Sequence, residues 1–434
     1  MLENNTRDIN FRQSGESMYK LAERLFPICR SITGNGVRET LSILQETVPL
    51  DVTEIPSGTH VLDWEIPNEW NIRDAWIKTP GGEKIANFRK SNLHVLNYSM
   101  PVNQEVDLAT LKEHLYSIPE HPEWIPYRTS YYNQQWGFCM PHNQLEKLEE
   151  GNYQVKIDSE IKPGALTYGE FIIPGETEEE VLFSCHICHP SLCNDNLSGI
   201  VIATELAKFL KNLDLRYSYR FLFIPGTIGS IAWLSKNEEK ASRIKHGLVL
   251  TLLGDASPFH YKKTRSENTE IDEIMAYLLK DEDEAKLLDF SPYGYDERQF
   301  CSPGFNLPVG RISRKPFGEF PEYHTSADNL DFISAEKLGE SLQLLVRAVS
   351  VIEGNRKWIN RKPKGEPQLG KRGLYQAIGG ATNQEDFRMA LLWVLNFSDG
   401  EHSLLDIAKK SKIDFSILKF ATDKLVSSGL LTSK

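Results

Sequence analysis

No stretch of this 434-residue chain is apolar for the roughly 18 residues that a membrane span needs, and the longest apolar run, near 248–253, has only the length of a strand. The N-terminus, MLENNTRDINFRQ, is polar and charged and lacks the apolar centre of a signal peptide, so a cytoplasmic protein is expected. Cysteine is sparse. The six (Cys29, Cys139, Cys185, Cys188, Cys193 and Cys301) are too few for a disulfide framework in a chain of this length, and point instead to buried thiols or a metal site. Basic charge is also short: 49 Lys and Arg face 60 Asp and Glu, a net of −11, which disfavours nucleic acid or an anionic membrane as the main partner. Internal repeats and low-complexity tracts are absent.

What is present is ordinary globular composition, 40% hydrophobic and 25% charged. The length suggests two or three domains at roughly 150 residues each. Residues 15–47 carry apolar side chains at helical spacing (Tyr19, Leu21, Leu25 and Phe26, then Val37, Leu41 and Leu44), interrupted by the turn signal SITGNG. From about Val52 to Ile173 the texture becomes short alternating runs broken by Pro, Gly and Asn, which predicts a small β-rich insertion with one short helix near 108–115.

From about Glu180 strands alternate with helices. VLFSC, YRFLFIP, LVLTLLGD and LPVGRIS read as strands, LSGIVIATELAKFLKNL as a helix, and 334–352 as another with Ser334 as N-cap. That order implies an α/β sandwich with a mostly parallel sheet. The expected domains are therefore 1–51 with 174–360 for the α/β part, 52–173 for the insertion, and 366–434 at the C-terminus. The last of these follows a Pro- and Gly-rich basic linker, NRKPKGEPQLGKRG. It holds three short helical patterns and a strand-like tail, the pattern of a winged helix-turn-helix. It has nine basic and eight acidic residues and so lacks the basic stripe of a DNA-binding helix; a protein partner or a second subunit fits better.

The chemistry concentrates in CHICHPSLCNDNLSG, at the end of the VLFSC strand, where ligands of open α/β sheets bind. His186, His189 and Asp195 are residue types that hold zinc. Each also has a plainer role open to it, surface histidines and an N-cap aspartate. Cys185, Cys188 and Cys193 offer a thiolate zinc or redox site as an alternative. Asp255 ends another strand, and His324 sits in the polar loop EFPEYHTSADNLDF.

These residues carry a resemblance. The run from His186 through NDNLSG, then Asp255, then YHTSADN resembles the bacterial zinc aminopeptidase and glutaminyl cyclase superfamily. Over nearly the whole chain, through HICHPSLCNDNLSG, DERQFCSPGFNLPVG and YHTSADNLD, the sequence is similar to bacterial proteins with an aminopeptidase-like domain linked to polysaccharide biosynthesis. The resemblance implies a zinc-aminopeptidase-like α/β sandwich and metal ligands at His186, Asp195 and His324, with Asp255 as a further one. It also implies a Glu-Glu pair after the second strand, where this sequence has Gly226 and Thr227 in IPGTIGS, and a carboxylate where Cys188 stands.

Two histidines and one carboxylate leave a position open for water, the pattern of a catalytic zinc site. The expected activity is a zinc-dependent hydrolase of aminopeptidase or carboxypeptidase type cleaving an amide, in a peptide or an acylated amino compound. Glu297 or Glu322 would be the general base, and Arg298, Arg265 and Lys262 would bind a substrate carboxylate. The alternative is a catalytically degenerate binding or sensor protein with the winged helix as its interaction module.

Overall fold

The computed structural model describes residues 9–374 and 384–434; residues 1–8 of the expected first domain lie outside the described residues. The N-terminal helical spacing becomes α1 (Phe11–Leu25), which buries Met18, Ala22 and Leu25, and α2 (Asn35–Gln45), which buries Val37, Leu41 and Leu44. Strand β1 (Asp51–Pro56) follows. Four strands then form a small antiparallel sheet of their own: β2 (Glu69–Lys78), β3 (Lys84–Ile85), β4 (Val102–Asp107) and β5 (Asn152–Lys162), in the order β3-β2-β5-β4. Its apolar face closes over Ala75, Ile77, Val95, Phe138 and Tyr153.

The large sheet is built from β1 and seven later strands: β6 (Ala165–Ile173), β7 (Glu180–His186), β8 (Ser218–Ile224), β9 (Ile244–Leu250), β10 (His260–Lys262), β11 (Lys286–Leu288) and β12 (Val309–Ser313). Their order is β1-β6-β8-β7-β9-β12-β10-β11. The centre, β8-β7-β9-β12, is parallel, whereas β1 and β6 are antiparallel. Every residue of β7 is buried, as expected of a parallel strand covered on both faces. Crossovers are made by α3 (Gly199–Leu210), α4 (Ile228–Lys236) and α5 (Glu270–Leu279); the short α6 (Glu297–Phe300) precedes β12, and α7 (Ala335–Gly354) follows it. Ser334 caps α7 as expected, its Oγ accepting from Lys337 N at 3.2 Å.

The segment 52–173 is thus divided. Its first and last strands, β1 and β6, pair with each other and extend the large sheet, so the β-rich layer lies between them. Alternation alone does not distinguish the two sheets, because both bury one face of such strands.

The chain separates into two compact units, 9–344 and 345–434 among the described residues, with α7 crossing the boundary. The second unit has α8 (Gln384–Phe397), α9 (Leu404–Ser411) and α10 (Phe415–Ser427). They pack with a three-stranded antiparallel sheet in which β13 (Lys357–Asn360) lies between β14 (Asp399–Ser403) and β15 (Leu431–Ser433). This is a winged helix-turn-helix. Its sheet begins at Lys357, ahead of the linker composition from which the domain was expected to start. Ser403 and Asp406 form a capping box on α9. No helix among the described residues is long and apolar enough to cross a membrane.

Candidate metal centre

Strand β7 ends in His186, and from it the chain steps to β8 on one side and β9 on the other. In open α/β sheets that crevice at the strand ends is where ligands sit. The loop after β7 then brings in His189 and Asp195 before α3 begins. Nε2 of His186 donates to Asp195 Oδ1 at 2.8 Å, and Nε2 of His324 donates to Asp195 Oδ2 at 3.0 Å. His189 stands between them. Its Nε2 is 3.8 Å from Asp195 Oδ2, and its ring centre lies 4.8 Å from that of His186 and 5.2 Å from that of His324. The ligating atoms of His186, His189 and Asp195 fall within 4.8 Å of one another, and all three residues are buried. Among the described residues this is the one such group.

The electrostatics follow from the packing. Burial opposes ionisation of Asp195, but the imidazoles of His189, His186 and His324 outweigh it and hold the carboxyl well below the usual range. Burial pushes His189 well below its ordinary value, against the pull of the Asp195 carboxylate. Three imidazoles around one ionised carboxylate fit a zinc ion.

Polar contacts hold the loop in place. Asp328 accepts the backbone N–H groups of Asn194 (2.6 Å) and Asp195 (2.9 Å). Arg30, buried in the turn between α1 and α2, donates from Nε to the His189 carbonyl at 2.9 Å. His324 has φ 56°, the left-handed region that a non-glycine residue enters at a cost of roughly 1–2 kcal/mol. Backbone contacts from the inserted layer hold it there: Tyr127 N donates to the His324 carbonyl at 2.7 Å, and Ser326 N to the Ile125 carbonyl at 2.8 Å. The insertion therefore forms part of the site.

Several expected roles are redistributed. Asp255 stands outside the cluster: its oxygens accept from Asn194 Nδ2 at 2.7 Å and Ser257 N at 2.6 Å, so it braces the Asp195 loop. Glu297 is fully buried, with Lys262 Nζ at 2.9 Å, Arg311 Nη1 at 3.6 Å and Tyr295 N at 3.0 Å. Glu297 and Lys262 are thus engaged with each other, and neither is among the residues that line the cavity beside the histidines. Arg265 donates to Asn306 Oδ1 at 2.9 Å on the surface. Glu322 contributes its carbonyl to Thr325 and does not line the cavity beside the histidines, whereas Arg298 does. The thiols form no site of their own. Burial raises Cys185 well above its ordinary value and Cys188 to about 12, so both keep their protons. Cys188 instead places Sγ 3.3 Å from His189 Nδ1.

Tyr295 is the residue that motif reading did not single out. Its ring lies 4.2 Å from that of His186, and its hydroxyl 3.5 Å from Cys188 Sγ. A Cβ at Gly226 would meet Tyr295 Cε1 at 2.0 Å. The ring thus occupies the space that any side chain at 226 would need, which explains why glycine stands there. His189, by contrast, was legible: it belongs to the same short motif as His186 and Asp195.

Beside the histidines lies a cavity of about 480 Å³. Its wall includes His189, His324, Gly226, Thr227, Tyr295 and Arg298, together with Tyr127, Arg128 and Tyr132 from the insertion.

Residues 19–355 match the family described as a domain of unknown function (DUF4910), and residues 356–433 match a winged helix-turn-helix family. The chain belongs to the first of these families. A curated relative of this DUF4910 chain, from Clostridium acetobutylicum, is 50% identical over 423 residues and 97% of both chains. It is named for polysaccharide biosynthesis and for an aminopeptidase-like domain. A crystal structure from Clostridium acetobutylicum, named as a peptidase, matches with TM-score 0.95 and 47% identity over 100% of both chains. The zinc aminopeptidase of Bacillus subtilis matches with TM-score 0.57 and 14% identity over 79% of this chain and 95% of that one. The α/β part of the DUF4910 chain therefore has the aminopeptidase-like fold.

Proposed function

We propose that the chain is a zinc-dependent hydrolase that cleaves an amide in a peptide or acylated amino compound, adding water to give an acid and an amine. The observation that carries this is the convergence of His186, His189 and His324 on Asp195, next to an open cavity walled by two of those histidines. These four residues would hold the metal, and any three of them leave a fourth position for water. Zinc there would supply a water with pKa near 7 and polarise the scissile carbonyl.

The protein's own part is positioning. Asp195 orients the rings of both His186 and His324 through their Nε2 atoms; with zinc bound, those nitrogens would give up the proton and face the ion. Burial holds Tyr295 well above its ordinary pKa, so its hydroxyl keeps its proton and acts as a hydrogen-bond donor, not as a base. No carboxylate lines the cavity among the described residues.

That last feature favours a second reading, a protein that binds the same ligands without turnover. One experiment separates the two. Zinc is measured by elemental analysis on wild type, His186→Ala, His189→Ala and His324→Ala, with an amide-substrate screen run before and after chelation. The hydrolase reading expects about one zinc per chain, lost in the variants, and cleavage abolished by chelator. Amides bound but never cleaved by the zinc-loaded protein would establish the binding reading, and activity surviving complete metal removal would overturn the metal centre.

A further inference from the structure

The cavity beside the histidines has an unusual charge pattern for a fold whose relatives include an aminopeptidase. A free amino terminus is an ammonium, and a site for it calls for a carboxylate facing the ligand. No Asp or Glu lines this cavity among the described residues. The nearby carboxylates are buried and none is a lining residue: Asp195 accepts from His186 and His324, Glu297 pairs with Lys262, and Asp296 accepts from Ser230 Oγ at 2.8 Å through Oδ1 while its Oδ2 has no hydrogen-bond partner.

Two cations do line the cavity. Arg128 comes from the inserted layer and Arg298 from α6, and both are exposed. Among the described residues neither makes an ion pair or a side-chain hydrogen bond. Elsewhere in the same unit the arginines Arg30, Arg38, Arg220 and Arg314 are all engaged with protein acceptors. A guanidinium presents a planar fork of donors suited to a carboxylate.

The rest of the wall is aromatic. Trp64, Tyr132 and Tyr293 are 47%, 52% and 78% exposed, yet all three line this one cavity. Trp64 and Tyr132 pack with ring centres 5.6 Å apart. Aromatic faces can also attract a cation, but two unpaired guanidiniums on the same wall oppose one.

We propose that the cavity recognises an anionic amide, a ligand bearing a carboxylate on an N-acylated centre with a flat or apolar group beside it, in preference to a free amino terminus. Arg128 and Arg298 grip the carboxylate, and the aromatic wall covers the apolar part. The inference rests on this cavity being the substrate site of the proposed hydrolase, but its test does not require turnover.

The test is calorimetric titration of the full-length protein with N-acetyl-phenylalanine and with phenylalanine amide, which share a ring and an amide and differ in the sign of their charge. The expected result is roughly tenfold or greater preference for the acid, lost in Arg128→Gln with Arg298→Gln and weakened by added salt. Equal or tighter binding of phenylalanine amide would overturn the proposal in favour of an ammonium cage. Failure of N-acetyl-phenylalanine to bind at about 10 mM would overturn it as well. Repeating the titration after chelation keeps the two readings apart. Preference that persists without metal assigns the anion to the arginines whatever the fate of the zinc proposal, and preference seen only with metal removes the arginines from the role.

Discussion

Two neighbouring strand ends of the central sheet are built in opposite ways. After β7 the loop keeps its polar residues, and each is held: Asp195 between two imidazoles, Asn194 on Asp255, two backbone N–H groups on Asp328, and the His189 carbonyl on Arg30. After β8 the loop carries no carboxylate. Gly226 and Thr227 stand where the aminopeptidase resemblance places two glutamates, and the ring of Tyr295 fills the space. The first strand end gathers groups that could hold a cation. The loop after the second offers no carboxylate of its own.

The strongest way to break this comparison is Asp195→Ala. It removes the one group that all three histidines approach, so the expected outcome is complete loss of bound zinc by elemental analysis. Retention of zinc would mean that the histidines suffice and that the loop after β7 is not the centre.

The next largest effect separates ion pairing from catalysis at Glu297. Glu297→Ala leaves Lys262 buried without its carboxylate partner, which costs about 3–5 kcal/mol of stability. Denaturant unfolding should show that loss with zinc content unchanged. A variant as stable as wild type that loses only hydrolysis would restore Glu297 as the general base.

A somewhat smaller effect concerns how the insertion, which supplies part of the cavity wall, is tied to the α/β core. Arg38 of α2 sits 2.6 Å from Glu69 at the start of β2, and this guanidinium holds the Glu69 carboxyl down at about 2. A carboxylate with a lowered native pKa stabilises the fold above its unfolded pKa and loses that contribution as pH falls through the native one. Glu69→Gln should therefore cost about 3 kcal/mol near pH 7 by this linkage. The difference from wild type should shrink from about pH 4.5 downward and vanish near pH 2. A penalty independent of pH would mean that shape, not charge, makes the tie.

Particular residues show how much of this was legible beforehand. β7, β8, β9 and β12 were readable because buried parallel strands are continuous apolar runs, and His186 with Asp195 because they end such a strand in a dense polar motif. The split of segment 52–173 between two sheets was not readable, since half-buried strands in either sheet show the same alternation. Arg30 gave no signal, because its role depends on a carbonyl 159 residues away. The placement of Glu297 was hidden for the opposite reason: a carboxylate in a motif loop reads the same whether it faces a cavity or a buried lysine, and the sequence does not show its pairing with Lys262.

The smallest expected effect sharpens the comparison most. Gly226→Ala adds one methyl group, which would lie 2.0 Å from Tyr295 Cε1. Overpacking of this kind costs about 1–3 kcal/mol. In a Tyr295→Ala background the same substitution has room, so its penalty should disappear, and the double-mutant cycle should return a coupling of similar size. If it does, the tyrosine ring and the glycine are coupled by packing, and Tyr295 holds the space that a side chain at position 226 would need. If the two penalties simply add, the glycine is required by its own backbone. The cycle thus tests whether the ring of Tyr295 or the local backbone imposes the glycine, using stability alone and without any need to know the substrate.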